Sequence, residues 1–150
     1  MDLSFDSFRV IPHIAALAGA YALALPIGWD RERAERSAGL RTFPLVALAS
    51  CAFVQATETL LAAEPEGTAR IIEGLITGIG FIGGGAILKE GNTVRGTATA
   101  ASLWATGAIG AAVGLGSYDV AVVTALFTIL TLRLLSPVKQ QELAAEERET

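Results

Sequence analysis

Five stretches of the chain are apolar over about the length of a membrane helix, and short polar patches separate them. They cover residues 10–28, 43–63, 69–88, 98–115 and 118–135. About 20 mostly apolar residues cross the roughly 30 Å of hydrocarbon in a bilayer. The pattern therefore predicts an all-α chain, a polytopic bundle of about five transmembrane helices. The fifth stretch is the most apolar, with Val120, Val122, Val123, Leu126, Phe127, Ile129 and Leu130; the third and fourth are diluted by Gly, Ala and Thr. The prolines (Pro12, Pro26, Pro44, Pro65 and Pro137) fall near predicted helix ends or in connections, where a fixed φ and a missing N–H are tolerated. Short connections make successive helices neighbours. Residues 1–137 are expected to form the transmembrane domain and residues 138–150 a short charged cytoplasmic tail.

Charge gives the bundle a direction. With the N-terminus outside, the inner segments hold Arg31, Arg33, Arg36, Arg41, Lys89, Arg95, Arg133, Lys139 and Arg148, and the outer ones only Arg9 and Arg70. Cytoplasmic loops carry the excess of basic residues, so the expected topology is N-out, C-in. The opening MDLSFDSF lacks the basic n-region of a signal peptide, and the first helix is expected to be retained. The acids Asp2, Asp6, Glu58, Glu64, Glu66, Glu73 and Asp119 fall on the outer side against those two arginines. An acidic mouth of this kind raises the local concentration of cations.

Composition agrees with a membrane chain and removes several other classes. Hydrophobic residues make up 52% and charged residues 17%, against about 25% charged in an average soluble domain. A single cysteine, Cys51, and a single histidine, His13, exclude an internal disulfide and a metal centre built on His and Cys. The absence of a basic stripe argues against a nucleic-acid partner. No nucleophile–base pair is readable, so an enzyme is not expected.

Residues 78–83, GIGFIG, fit the spelling G-x-G-x-x-G. A dinucleotide fingerprint needs a strand before it, a helix opening at it and an acid about 20 residues later. Here the preceding apolar run continues through the glycines, and no acid lies between Glu90 and Asp119; no nucleotide is expected. Gly74 and Gly78, Gly80 and Gly84, and Gly110 and Gly114 are each four apart, the small-xxx-small spacing that lets membrane helices approach closely. Gly83, Gly84 and Gly85 together weaken a helix by about 1 kcal/mol each relative to alanine. The third helix is therefore expected to loosen there, with residues 89–96 returning as a loop and Thr97 capping the fourth helix.

Three pieces of sequence, GWDRERAERSAGLRT (28–42), GLITGIGFIGGGAIL (74–88) and VRGTATAASLWATGAIGAAVGLGSY (94–118), occur in an order and spacing that resemble the MgtC/SapB family of bacterial inner-membrane proteins. The resemblance covers about residues 14–135. It implies a multi-pass protein of the bacterial inner membrane, without cofactor, linked to magnesium homeostasis and low-magnesium adaptation, and in pathogens to virulence. It implies action by binding or regulating a membrane partner, an F-type ATP synthase among those proposed for the family. Longer members carry a cytosolic ACT-like domain. Asp30 stands where the family usually has Glu.

The motif residues singled out are Asp30, Arg31, Glu32, Gly39, Arg41, Thr42, Gly80, Gly83, Gly84, Gly85, Arg95, Gly96, Thr97, Thr99 and Trp104. The run from Asp30 to Arg36 reads either as a solvated topology-setting loop or as a clasp in which Arg41 pairs with Asp30 or Glu32. Trp104 falls deep in the fourth span, where its indole N–H needs a partner, and Ser102 and Thr106 are candidates. Glu58 and Glu73 lie in the outer halves of the second and third spans. Facing inward, they would form a hydrated Mg²⁺ site; facing water, they snorkel. The competing functional class is accordingly a cation transporter or channel with an acidic mouth and a broken third helix. A third reading is a lipid- or small-molecule-binding module around residues 83–99. The small-residue faces favour a homo-oligomer, a two-fold dimer by default.

Overall fold

The computed structural model describes residues 10–34, 38–61, 65–91 and 93–149. It contains five helices, α1 (Val10–Arg33), α2 (Thr42–Leu61), α3 (Pro65–Gly85), α4 (Thr97–Gly114) and α5 (Tyr118–Glu149), with a two-stranded antiparallel hairpin, β1 (Leu88–Glu90) and β2 (Thr93–Arg95), between α3 and α4. α4 is central and packs on all four other helices, most extensively on α2, whereas α3 sits at the edge against α4 and, more sparsely, α2.

The core is made largely of small side chains. Ala16, Ala20 and Ala24 repeat every turn along α1, Ala47 and Cys51 along α2, and Ala121 and Ala125 along α5, and all are buried. Phe43, Ile27, Leu103 and Ile109 are buried among them, but many more large apolar residues face outward, Ile11, Phe81 and Phe127 being 82%, 84% and 67% exposed. So many exposed large apolar side chains are unlike the surface of a water-soluble domain, in which most such side chains are removed from water.

At the centre, the glycines of α4 admit the backbone of α2. A Cβ on Gly110 would come within 2.8 Å of the Ala47 carbonyl carbon, and one on Gly114 within 2.8 Å of the Val54 Cβ. This small-xxx-small pair packs as its spacing predicts. Gly74, Gly78, Gly80 and Gly84 do not: an added Cβ at any of them meets nothing within 4 Å, because α3 does not pack its neighbours as closely as α4 packs α2.

α4 contains Thr97, Thr99, Ser102 and Thr106, yet three of these are buried. The hydroxyls of Ser102 and Thr106 donate to the carbonyls of Thr99 (3.0 Å) and Ser102 (2.8 Å) in the same helix, so burial leaves them satisfied. A helix surrounded by others needs small residues more than apolar ones. Hydropathy accordingly selects two helices, Val10–Arg33 and Tyr118–Leu135, as long and apolar enough to cross a membrane, with a shorter apolar stretch at Thr42–Thr57.

Several predicted boundaries move. α1 continues to Arg33, which makes Pro26 an interior residue; its ring lies on an exposed face, where the lost N–H disturbs no packing. α5 runs past Pro137 to Glu149, so the expected tail is helical. α3 ends at Gly85, closed by N–H bonds from Ala86 to Gly83 (3.0 Å) and Ile87 to Gly84 (3.1 Å), so the three glycines form its terminus and not a break within it. Residues 88–95 form a hairpin in place of a loop, paired from Leu88↔Arg95 to Glu90↔Thr93, with Gly91 at φ 60° in the turn. The cap of α4 is Gly96, at φ 88° with no side-chain bond, and Thr97 is the first helical residue. A Cβ on Gly96 would meet the Ala86 carbonyl, so the close approach forces glycine where Thr97 was expected to cap.

Two glycine substitutions are expected to separate in sign. Gly110→Val drives a side chain into the α2 backbone and should destabilise the fold by about 1–3 kcal/mol or more. Gly80→Ala meets open space and should stabilise α3 by up to about 1 kcal/mol. Thermal unfolding of the purified variants in detergent reads both.

Candidate functional site

The motif residues gather in two regions, the turn joining α1 to α2 and the flanks of α3. In the first, α1 ends in alternating charges, and α2 begins at Thr42 after a tight turn in which Thr42 N–H (3.0 Å) and Phe43 N–H (3.2 Å) both donate to the Gly39 carbonyl. Glu32 closes the turn: its Oε2 accepts the Leu40 N–H at 3.0 Å. Gly39 leaves room beneath it: a Cβ there would meet that carboxylate and push it from its place. Gly28 lets the turn lie on α1, with a Cβ reaching 3.2 Å from the Leu40 Cα.

Asp30 faces the other way. One carboxylate oxygen accepts both Nε and Nη2 of Arg31, and the other lies 3.9 Å from Nε of Arg133 on α5. The Arg31 side chain is only 4% exposed, whereas that of Arg133 is 61% exposed. The buried guanidinium therefore depends on Asp30, and Arg133 adds a weak outer contact. Arg33 stacks on the exposed Trp29 ring of the same helix, 5.3 Å from its centroid.

This arrangement corrects the expected clasp. Among the described residues, Asp30 pairs with Arg31 and Arg133, and Glu32 with the Leu40 N–H. Arg41 is exposed at the mouth of α2 and lines a crevice between α2 and α3. Spacing could not reveal Arg133 as a partner of Asp30, since it lies about a hundred residues away on a helix whose position depends on packing.

Two crevices flank α3. The one toward α2 has a volume of about 660 Å³ and is lined by apolar residues including Leu45, Phe53, Ile71 and Ile82, by the glycines Gly74 and Gly78, and by Arg41 and Arg70. The one toward α4 and the start of α5, about 290 Å³, is almost entirely apolar and includes Ile76, Trp104 and Leu115. Trp104 is thus 52% exposed on a crevice wall rather than deep in the core, and Ser102 and Thr106, its expected partners, bond to their own helix.

The remaining motif residues are dispersed. Gly83 packs against α4, a Cβ there lying 3.3 Å from the Ala100 carbonyl, while Gly80, Gly84 and Gly85 are exposed. Thr99 is buried in α4, and Arg95 and Thr97 are exposed on either side of Gly96. Glu73 is exposed on α3, with the Thr77 hydroxyl donating to its carbonyl at 2.9 Å. Glu58 belongs to the last turns of α2, and its side chain lies outside the described residues. Among the described residues, no three His, Cys, Asp or Glu side chains gather as metal ligands.

Comparison with known proteins gives a consistent result. Residues 17–141 match the MgtC family. The chain is similar to Protein MgtC of Brucella abortus (strain 2308), 41% identical over 134 residues, covering 89% of this chain and 56% of that protein. It is also similar to Protein MgtC of Salmonella typhimurium (strain LT2), 36% identical over 136 residues, covering 91% and 58%. The chain thus spans somewhat more than half the length of these relatives. No solved structure matches it.

The polar turn yields a graded prediction. Asp30→Ala strands the buried Arg31 guanidinium and should cost about 3 kcal/mol. Glu32→Ala removes a charge-assisted bond and should cost about 1.5 kcal/mol, and Arg133→Ala under about 1 kcal/mol. Thermal unfolding in detergent should rank them in that order.

Proposed function

The chain belongs to the MgtC family, and from that premise we propose that it is a multi-pass protein of the bacterial inner membrane, N-out and C-in, that serves magnesium homeostasis and low-magnesium adaptation without catalysis, by binding or regulating a membrane partner. The observation that carries the membrane part is the number of large apolar side chains on the outside, among them Ile11, Phe81 and Phe127, around a core rich in alanine. Contiguous apolar surface on this scale marks a lipid or protein contact.

Binding is favoured over conduction by the surroundings of α3. Its polar residues Glu73 and Thr77 are exposed, the crevices beside it are lined mainly by apolar side chains, and the buried hydroxyls of α4 are turned back onto their own carbonyls. The partner envisaged is another membrane complex, with the F-type ATP synthase as the first candidate. A two-fold homodimer is the default assembly for a chain with small-residue helix faces.

Two measurements test the reading. Liposomes containing the purified protein should take up Mg²⁺ no faster than empty ones, and cross-linking in native membranes should give a discrete adduct with a membrane complex. Saturable Mg²⁺ uptake that is lost in Glu73→Gln would instead make the protein a transporter.

A further inference from the structure

The crevice between α2 and α3 has chemistry that the regulatory reading does not use. Its walls run from residue 41 to 53 on α2 and from 70 to 82 on α3. Each covers thirteen residues, a rise of about 18 Å along the helix. One leaflet of a bilayer is about 15 Å of hydrocarbon, so the crevice accommodates an extended acyl chain from one leaflet. Its sides are apolar, and exposed residues such as Leu45, Phe53 and Ile82 stand on them.

The ends of the crevice are cationic. Arg41 lines one end and Arg70 the other, and among the described residues no carboxylate lines it. At the Arg41 end, among the described residues, the acids at the end of α1 are engaged, Asp30 by Arg31 and Glu32 by the Leu40 N–H. At the other end, Glu66 and Glu73 flank Arg70 on its own helix, four residues before and three after it, spacings at which charges on a helix meet. Arg41 is therefore the end better suited to an anion. By the expected topology it is also the cytoplasmic end, where basic pockets between membrane helices take anionic headgroups.

We propose that this crevice binds an anionic phospholipid of the inner leaflet, with the phosphate on Arg41 and one acyl chain lying between α2 and α3 toward Phe53. The inference rests on the membrane reading of the chain but not on its regulatory role. An apolar groove open at the side, with a guanidinium at its mouth, fits an amphiphile with a negative head better than a wholly apolar ligand.

Gly78 makes the proposal testable without breaking the fold. It lines the crevice, and a Cβ there meets nothing within 4 Å, so Gly78→Leu fills the groove from an unobstructed position. Gly84→Leu is the control: it is equally open but lies outside the crevice. The experiment is native mass spectrometry of the detergent-solubilised protein mixed with equal amounts of phosphatidylglycerol and phosphatidylcholine. The parent and Gly84→Leu should each retain one phosphatidylglycerol per protomer in preference to phosphatidylcholine. Arg41→Gln should lose the headgroup preference, and Gly78→Leu should lose the retained lipid, while both keep the parent's thermal transition. Equal retention of the two lipids by the parent, or undiminished retention in Gly78→Leu, overturns the proposal. So does conversion of a dimer to monomers by Gly78→Leu with lipid retention unchanged, which would assign the crevice to a second copy of the chain. Fractionation of the expressed protein with the soluble phase would instead remove the membrane reading itself, an outcome distinct from an intact membrane protein that binds no lipid.

Discussion

The contact between α4 and α2 at Gly110 and Gly114 governs the rest of the bundle. At these positions helix backbone meets helix backbone, with the Ala47 carbonyl lying where a Cβ on Gly110 would stand. In a lipid environment helices gain nothing from hiding apolar surface, and close packing of small residues supplies the attraction in its place. Once α2 and α4 are this close, the core has little room for bulk. The alanines of α1 and α5 and Cys51 of α2 fill much of it beside a few large residues such as Phe43 and Ile27, and most other large side chains stand on the outside.

That central pair also explains why α3 is an outlier. With α2 committed to α4, the third helix rests against their edges through local contacts. One is Gly83 against Ala100, and another is Ile79 beneath Gly107. Gly74, Gly78, Gly80, Gly84 and Gly85 meet no neighbour, and a crevice is left on either side. The family motif rich in glycine thus serves two ends. Part of it allows close approach to α4, and part leaves an open surface.

The polar end of α1 works by a different principle. Where the connection enters α2, the N–H groups of Leu40, Thr42 and Phe43 are met locally by the Glu32 carboxylate and the Gly39 carbonyl. Arg31 is buried beside Asp30, and Arg133 reaches the same carboxylate from α5. Charge here fixes how chain ends are held, while size complementarity fixes the helices between them. The two regions meet at Arg41, which stands at the start of α2 and lines the α2/α3 crevice.

The sequence by itself determined the existence, order and helical nature of the five main segments, because each is a long apolar run bounded by charge, Gly or Pro. It also marked Gly110 and Gly114 as packing positions and brought the three family motifs into view. It did not place Trp104, the cap of α4, the partners of Asp30 and Glu32, or the open surroundings of Gly74, Gly78, Gly80 and Gly84. A four-residue spacing states that two residues share a helix face, but not what that face meets. Thr97 has the chemistry of a cap, yet the Ala86 carbonyl approaches too closely for any residue but glycine at 96. Arg41 is near Asp30 and Glu32 in sequence, yet nearer donors, Arg31 and the Leu40 N–H, satisfy both acids. Only the tertiary structure decided these points, because they depend on which helix lies opposite which. Small-residue packing sets that arrangement through long-range contacts that no local pattern encodes.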